Sequence, residues 1–130
     1  MSQPEFQLFY WPIPFRGCFV SYLFAYRDVP LLDDSDFEEI EALMSRDPAE
    51  QDIPFMGPPV IRDIEKNRNL SQMPAIVLYV SHKLDLMPEE SFDQAMCMKI
   101  LMDCNDLLME ICRYNGSTMW EREEWHQFRT

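Results

Sequence analysis

Short apolar runs and segments of helical periodicity alternate along the first two thirds of the chain. Strand-like runs are apolar and aromatic, whereas the helical segments repeat apolar residues roughly every three or four positions. The predicted elements, in chain order, are a strand over 6–10, a helix over 15–27, an edge strand over 29–32, a helix over 37–44, a hairpin over 59–70 and a helix over 73–83. Ser71 is the predicted cap of the last helix. This order predicts an α/β fold built on one mixed sheet.

The last third of the chain is predicted to be helical. A short linker at 84–88 contains a proline, and the apolar spacing after it predicts a long helix over 89–114. The tail over 119–130 combines aromatic and charged residues and predicts the start of another amphipathic helix. We therefore expect two domains, an α/β domain over 1–86 and a partial helical domain over 87–130.

The composition supports a folded protein and excludes two classes of partner. Apolar residues make up 47% of the chain, and 9 Phe, 5 Tyr and 3 Trp supply large side chains for a core. The net charge is −12, from 23 acidic and 11 basic residues. Because such a surface repels nucleic-acid backbones and anionic lipids, we expect neither as a partner.

Several features of the sequence predict a cytoplasmic protein. No apolar run reaches the roughly 18 residues of a membrane span, and the first residues lack the pattern of a secretory signal. The four cysteines are Cys18, Cys97, Cys104 and Cys112. Their spacing contains neither the short pairs of a metal site nor the C-x-x-C of a thioredoxin-type redox protein. We expect a reducing compartment and no bound metal.

Three segments together resemble the glutathione transferase family. Leu70–Lys83, with the sequence LSQMPAIVLYVSHK, is similar to the family pattern L-T-E/Q-S-x-A-I-x-x-Y-I/L-x-x-K. Pro59–Asp63 is similar to its P-x-L-x-D segment, whose proline is cis in the family. Leu8–Trp11 followed by Arg16-Gly17 is similar to its L-x-Y-W/F and R-G elements. The resemblance covers about residues 6–86 in the family order.

The resemblance implies a fold, a co-substrate and an assembly. The expected fold is a thioredoxin-like four-stranded mixed sheet with flanking helices, followed by the start of an all-helical domain. The family continues through further helices, so a truncated chain is expected. The implied activity is the attack of the glutathione thiol on a small electrophile, in a homodimer and without a metal.

Tyr10 is the candidate catalytic residue. The nucleophile of such a reaction is a thiolate, and a hydroxyl that donates a hydrogen bond to sulfur favours the charged form. Tyr10 ends the first predicted strand, where the resemblance places this donor; the alternative is a tyrosine that only packs at the strand end. Ser21 is a weaker candidate within the first helix. Cys18 is expected to be a buried, inert thiol.

The candidate binding residues follow from the same resemblance. Gln72 and Met73 open a helix, whose free N–H groups and positive dipole end suit the γ-glutamyl carboxylate. In the family, the residue before the cis-proline pairs with the cysteinyl backbone in the manner of an added strand. The remaining candidates are Pro58 and Pro59 at that position, Trp11 beside Tyr10, and Asp106, which is either an acid offered to a neighbouring subunit or a solvated helix carboxylate.

Some positions depart from the family pattern and favour an alternative function. Met73 replaces a serine, and Pro58 has no N–H to donate to the cysteinyl unit. In another alignment, Ile13 occupies the reactive position of Cys-Pro-Phe or Ser-Pro classes and cannot act as nucleophile or donor. The alternative is therefore a non-catalytic scaffold or interaction module with a degraded glutathione site.

Overall fold

The computed structural model describes residues 3–51, 53–54 and 56–130, which fall into two compact units, Met1–Met87 and Pro88–Thr130. The elements of the first unit are β1 (Phe6–Phe9), α1 (Arg16–Arg27), β2 (Leu32–Asp34), α2 (Phe37–Met44), a 3₁₀ turn (Pro48–Glu50), β3 (Val60–Asp63), β4 (Arg68–Ser71) and α3 (Met73–Lys83). The elements of the second unit are α4 (Ser91–Ile111), a 3₁₀ turn (Arg113–Gly116) and α5 (Arg122–Phe128). The predicted α/β sheet domain followed by a helical segment is confirmed.

The described strands form one mixed sheet in the order β2-β1-β3-β4. β1 pairs in parallel with β2 and antiparallel with β3, and β4 pairs antiparallel with β3. One row of paired residues crosses the whole sheet, formed by Asp34, Phe9, Val60 and Ser71. The carboxyl ends of β1, β2 and β4 therefore meet the beginning of β3 at one end of the sheet.

The two faces of the sheet carry separate apolar clusters, because side chains alternate along each strand. On one face Leu8 and Ile61 pack with Phe24 of α1 and Ile76 of α3. On the opposite face Phe9 and Val60 pack with Ile40 of α2. The helices therefore flank the sheet on both sides, with α1 and α3 together on one side.

Some boundaries differ from the prediction, for tertiary reasons. Ser71 is not a helix cap but the last residue of β4, and Gln72 is the residue that precedes α3. The edge strand lies at Leu32–Asp34 because Gln7 and Phe9 of β1 pair with it there, and Asp34 also accepts a hydrogen bond from Gln7 Nε2 at 3.1 Å. Pairing with a neighbour here outweighs the weak strand propensity of Asp.

The helices of the second unit are shorter than the periodicity predicted. α4 ends at Ile111, and the chain continues as the 3₁₀ turn Arg113–Gly116. Glu90 caps the start of α4 by accepting the N–H groups of Phe92 and Asp93 at 2.8 and 3.1 Å. Within the described ranges, no helix combines the length and apolar character needed to cross a membrane.

Candidate functional site

The sheet register places most of the candidate residues at one end of the first unit. Tyr10 and Trp11 follow β1, Pro58 and Pro59 precede β3, and Gln72 follows β4, so all flank the row that crosses the sheet. Neighbouring strands lie about 4.8 Å apart. Residues as distant in the sequence as Tyr10 and Gln72 are therefore brought within reach of one small ligand.

Tyr10 lies against the first turn of α1. Its side chain is only 6% exposed, and its hydroxyl oxygen accepts a hydrogen bond from the backbone N–H of Arg16 at 2.9 Å. The ring covers Gly17 so closely that a Cβ at that position would lie 2.4 Å from Tyr10 Cδ1. The phenol is therefore held by the helix beginning on one side and by the strand end on the other.

The environment of Tyr10 keeps its hydroxyl protonated. Burial raises the pKa of Tyr10, although the N–H and guanidinium of Arg16 and the N–H of Gly17 partly oppose this effect. At neutral pH the group is thus a neutral phenol whose oxygen already accepts an N–H. Among the described residues, the hydrogen bond of the Tyr10 hydroxyl is the one it accepts from Arg16.

A cavity of about 270 Å³ lies beside Tyr10 on the α1 side of the sheet. Besides Leu8, Tyr10 and Gly17, its lining comprises Trp11, Pro12, Ile13, Pro14, Cys18, Ser21, Asp33 and Ser35. Cys18 is half-buried instead of buried, so the expected fully buried thiol is wrong. A hydrogen bond with Cys18 raises the pKa of Tyr22 one turn further along α1. Ser21, the weaker candidate, lines the same cavity as Tyr10.

Asp33 and Ser35 line this cavity although the sequence analysis did not select them. Asp33 pairs with Leu8 across the parallel β1–β2 ladder, and Ser35 follows β2 directly. No motif marks either residue. Only the pairing of β2 with β1 brings them next to Tyr10.

Gln72 precedes α3 in an unusual backbone conformation. Its φ is 72° and its ψ is 111°, values that few residues other than glycine adopt. Its side chain is exposed and makes no capping hydrogen bond, whereas its carbonyl accepts the N–H of Ile76 at 3.0 Å. Residues with strained backbone conformations are found most often at active sites and ligand-binding sites. Met73 begins α3 with its side chain buried.

The prolines and Trp11 complete this end of the sheet. The Pro58–Pro59 bond is cis, and Pro59 is buried directly before β3 while Pro58 is half-buried. Trp11 is half-buried and packs on Phe37 of α2, with ring centroids 5.0 Å apart. Trp11 is therefore placed to report on a ligand bound near Tyr10.

Two further parts of the sequence prediction concern Asp106 and a bound metal. Asp106 is exposed on α4 and belongs to the second unit, so the geometry of the first unit does not bear on it. Among the residues that the structure describes, no group of three or more His, Cys, Asp or Glu side chains is placed to hold a metal ion.

Comparison with known proteins supports the resemblance in both parts of the chain. Residues 96–130 match the family model described as glutathione S-transferase, C-terminal domain. This segment lies outside residues 6–86, from which the resemblance was inferred, so the two observations are independent. No curated protein matches the sequence.

Solved structures resemble the chain over most of its length. The glutathione S-transferase from Ascaris lumbricoides matches with a TM-score of 0.72 and 21% identity, over 93% of this chain and 58% of that one. The Nu-class GST from Haemonchus contortus matches with a TM-score of 0.68 and 19% identity, over 95% of this chain and 62% of that one. Prostaglandin synthase D of Nilaparvata lugens matches with a TM-score of 0.69 and 18% identity, over 97% of this chain and 59% of that one. The chain thus spans 58–62% of the length of these proteins, and the likeness shows a shared fold.

Proposed function

We propose that this chain, which has the fold of the glutathione transferases, binds glutathione at the end of the sheet formed by Tyr10, Pro58-Pro59 and Gln72. Tyr10 is the proposed activating group. The observation that carries this proposal is the phenol at the start of α1, which is protonated and accepts the Arg16 N–H at 2.9 Å. A phenol whose oxygen accepts a hydrogen bond is a stronger donor.

The proposed role of Tyr10 is to stabilise the thiolate of bound glutathione. The thiol loses its proton to solvent, and the Tyr10 O–H donates to the resulting sulfur anion. The thiolate then forms a bond to the electrophilic carbon, whose leaving group or π electron pair is displaced. A hydrogen bond to a charged group contributes about 1.5–3 kcal/mol, which corresponds to roughly ten- to a hundredfold in the acidity of the thiol.

The remaining contacts are proposed from the positions along the sheet. The N–H groups at the start of α3 and the exposed amide of Gln72 would hold the γ-glutamyl carboxylate. The carbonyl of Pro58 would accept the cysteinyl N–H, while the reciprocal bond is missing because Pro58 has no N–H. The Met73 side chain is buried and supplies no polar contact, so only its backbone would take part.

A pair of tyrosine variants tests the role of Tyr10. Tyr10→Phe and Tyr26→Phe each remove one hydroxyl, but Tyr26 is 80% exposed on α1 and serves as the control. Glutathione and S-methylglutathione are titrated into each protein by calorimetry, and the bound thiol is titrated by its ultraviolet thiolate absorbance. We expect Tyr10→Phe to bind both peptides but to raise the pKa of the bound thiol, while Tyr26→Phe matches the wild type.

Two results would count against this proposal. If the wild type binds neither peptide, the glutathione site is absent. If Tyr10→Phe leaves the pKa of the bound thiol unchanged, Tyr10 is not the activating group. Glutathione binding can also be followed by tryptophan fluorescence. Because Trp120 and Trp125 also emit, the Trp11→Phe variant shows how much of the fluorescence change comes from Trp11.

The alternative function is a non-catalytic scaffold or interaction module. The observation that favours it is the burial of Tyr10, whose ring packs on Gly17 and whose oxygen is already bonded to α1. In that case the chain would show no thiolate signal with glutathione even at saturating concentration.

We further propose the remaining properties that this function entails. The electrophile would be a small molecule. The protein would form a homodimer and would be located in the cytoplasm. The domains would be 1–86 and 87–130, and Asp106 would face the glutathione amine of a second copy. Sedimentation of the full chain tests the dimer, and Asp106→Asn tests the proposed acid.

A further inference from the structure

A cluster of cations lies at the end of the sheet opposite Tyr10. Lys66 and Arg68 belong to the β3–β4 hairpin, and Lys83 ends α3, which returns along the sheet from Gln72. The Arg68 guanidinium carbon lies 5.3 Å, and Lys83 Nζ 5.9 Å, from the centre of the Tyr79 ring. We refer to Lys66, Arg68 and Lys83 as the cation cluster.

The nearby carboxylate does not balance these charges. Asp63 is buried and accepts hydrogen bonds from the Tyr79 hydroxyl and, at 3.0 Å, from the Lys66 N–H. Arg68 Nε lies 3.8 Å from the same carboxylate. Within the described ranges, neither the Lys66 nor the Lys83 ammonium forms an ion pair with a carboxylate. The cluster therefore carries two positive charges beyond the one that Asp63 neutralises.

The two lysines are close enough to affect each other. The close approach of the Lys83 ammonium, and then repulsion from Arg68, lower the pKa of Lys66. In a chain with a net charge of −12, basic side chains have many acidic neighbours available. Arg68 and Lys83 instead lie over one aromatic ring, with Lys66 close to Lys83. The three cations form a local site of opposite sign, which attracts anions.

A cavity of about 330 Å³ adjoins the cluster on the α3 side of β4. Its lining is Ile61, Asp63, Arg68, Asn69, Leu70 and Tyr79. Ile61, Leu70 and the Tyr79 ring make its walls largely apolar, while Arg68, Asn69 and the Asp63 carboxylate supply polar groups. Its volume is close to the smallest volumes found for small-molecule pockets, about 300 Å³.

We propose that this cavity and the cation cluster bind a small organic phosphate. The phosphate dianion would lie between Lys66 and Lys83, where it matches the surplus of two positive charges. The apolar body of the ligand would occupy the space between Leu70 and Tyr79. This site is at the other end of the sheet from Tyr10, so the proposal does not depend on glutathione binding.

Phenyl phosphate is the probe, because it joins a dianion to one apolar ring. It is titrated into the full chain by calorimetry and by amide chemical shifts. We expect saturable binding with shifts concentrated in β4 and the end of α3. Lys66→Gln and Lys83→Gln should each weaken binding by about tenfold, since each removes a charge-assisted hydrogen bond. Phenol and inorganic phosphate, tested separately, should both bind more weakly.

Lys99→Gln is the matched control. It removes the same charge from α4, where Lys99 pairs with Asp103, and should leave the affinity unchanged. The proposal is overturned if phenyl phosphate shows no saturable binding, or if Lys99→Gln weakens binding as much as Lys83→Gln does. It is also overturned if the shifted amides surround Tyr10. Because Lys66, Lys83 and Lys99 are exposed, the variants should keep the wild-type circular dichroism spectrum.

Discussion

Gly17→Ala perturbs the contact between β1 and α1 on which the position of Tyr10 depends. Gly17 lies in the first turn of α1, where alanine has the higher helix propensity by about 1 kcal/mol. On propensity alone, the substitution should stabilise the protein. The added Cβ, however, would lie 2.4 and 2.6 Å from Cδ1 and Cγ of the Tyr10 ring.

The steric cost exceeds the gain in helix propensity. Carbon atoms in contact are normally about 3.5–4.0 Å apart, so the ring must move by about 1 Å or more. Overpacking of this kind costs about 1–3 kcal/mol, and loss of the hydrogen bond from Arg16 to Tyr10 adds about 0.5–1.5 kcal/mol. After the gain of about 1 kcal/mol in helix propensity is subtracted, we expect Gly17→Ala to lower the free energy of unfolding by about 0.5–3.5 kcal/mol.

Urea unfolding followed by far-ultraviolet circular dichroism measures this change, with Gly57→Ala as the control. Among the described residues other than its chain neighbours, the nearest atom to a Cβ at Gly57 is Met44 Cε at 4.0 Å, so that variant should be close to neutral. Combining Gly17→Ala with Tyr10→Ala removes the obstructing ring. In that background the alanine should cost little or even stabilise, which gives a large coupling free energy.

A Gly17→Ala variant as stable as the wild type, or more stable, would refute the close approach of α1 to Tyr10. The same conclusion would follow if its cost persisted unchanged in the Tyr10→Ala background. The position of Tyr10 would then have to be established in another way before any role in thiol activation was considered.

Four further predictions concern the first unit. Tyr79→Phe should destabilise by about 1–3 kcal/mol in urea, because buried Asp63 loses a donor, while Tyr26→Phe should be neutral. Burial would raise the pKa of Asp63, but hydrogen bonds from Tyr79 and the Lys66 N–H and the nearby cations lower it overall. The ionised Asp63 carboxylate should therefore contribute its full stabilisation above about pH 4 and lose it as the pH falls through the lowered pKa. This loss of stability should be smaller in the Tyr79→Phe variant. Asp36 caps α2 by accepting the N–H groups of Glu38 and Glu39, at 2.8 and 3.2 Å. Asp36→Ala should therefore cost about 0.5–2 kcal/mol, with Asp36→Asn as control. Ile61→Ala, at a site 1% exposed, should cost about 2–5 kcal/mol.

Local pattern was sufficient for most of the helices. The predicted span of α2 agrees with Phe37–Met44, and that of α3 with Met73–Lys83. Both segments combine helical spacing with a clear beginning, which is Asp36 for α2 and the proline in the first turn for α3. These signals act over a few residues and do not depend on the rest of the fold.

The register of the sheet, by contrast, depends on residues distant in the sequence. The apolar run before Asp33 predicted an edge strand over 29–32, whereas the observed strand, Leu32–Asp34, contains two acidic residues and only one apolar residue. It becomes a strand through its pairing with β1. The places of Asp33 and Ser35 beside Tyr10 follow from that pairing alone.

The sequence by itself determined the element order, the sheet class and the family resemblance, because these depend on periodicity and on short motifs. Tertiary structure alone decided that Tyr10 packs on Gly17 and accepts the Arg16 N–H, and that Gln72, not Ser71, precedes α3. It also decided that Arg68 of β4 and Lys83 of α3 both lie over the Tyr79 ring. Such contacts join separate segments, and their geometry is set by how the helices pack on the sheet.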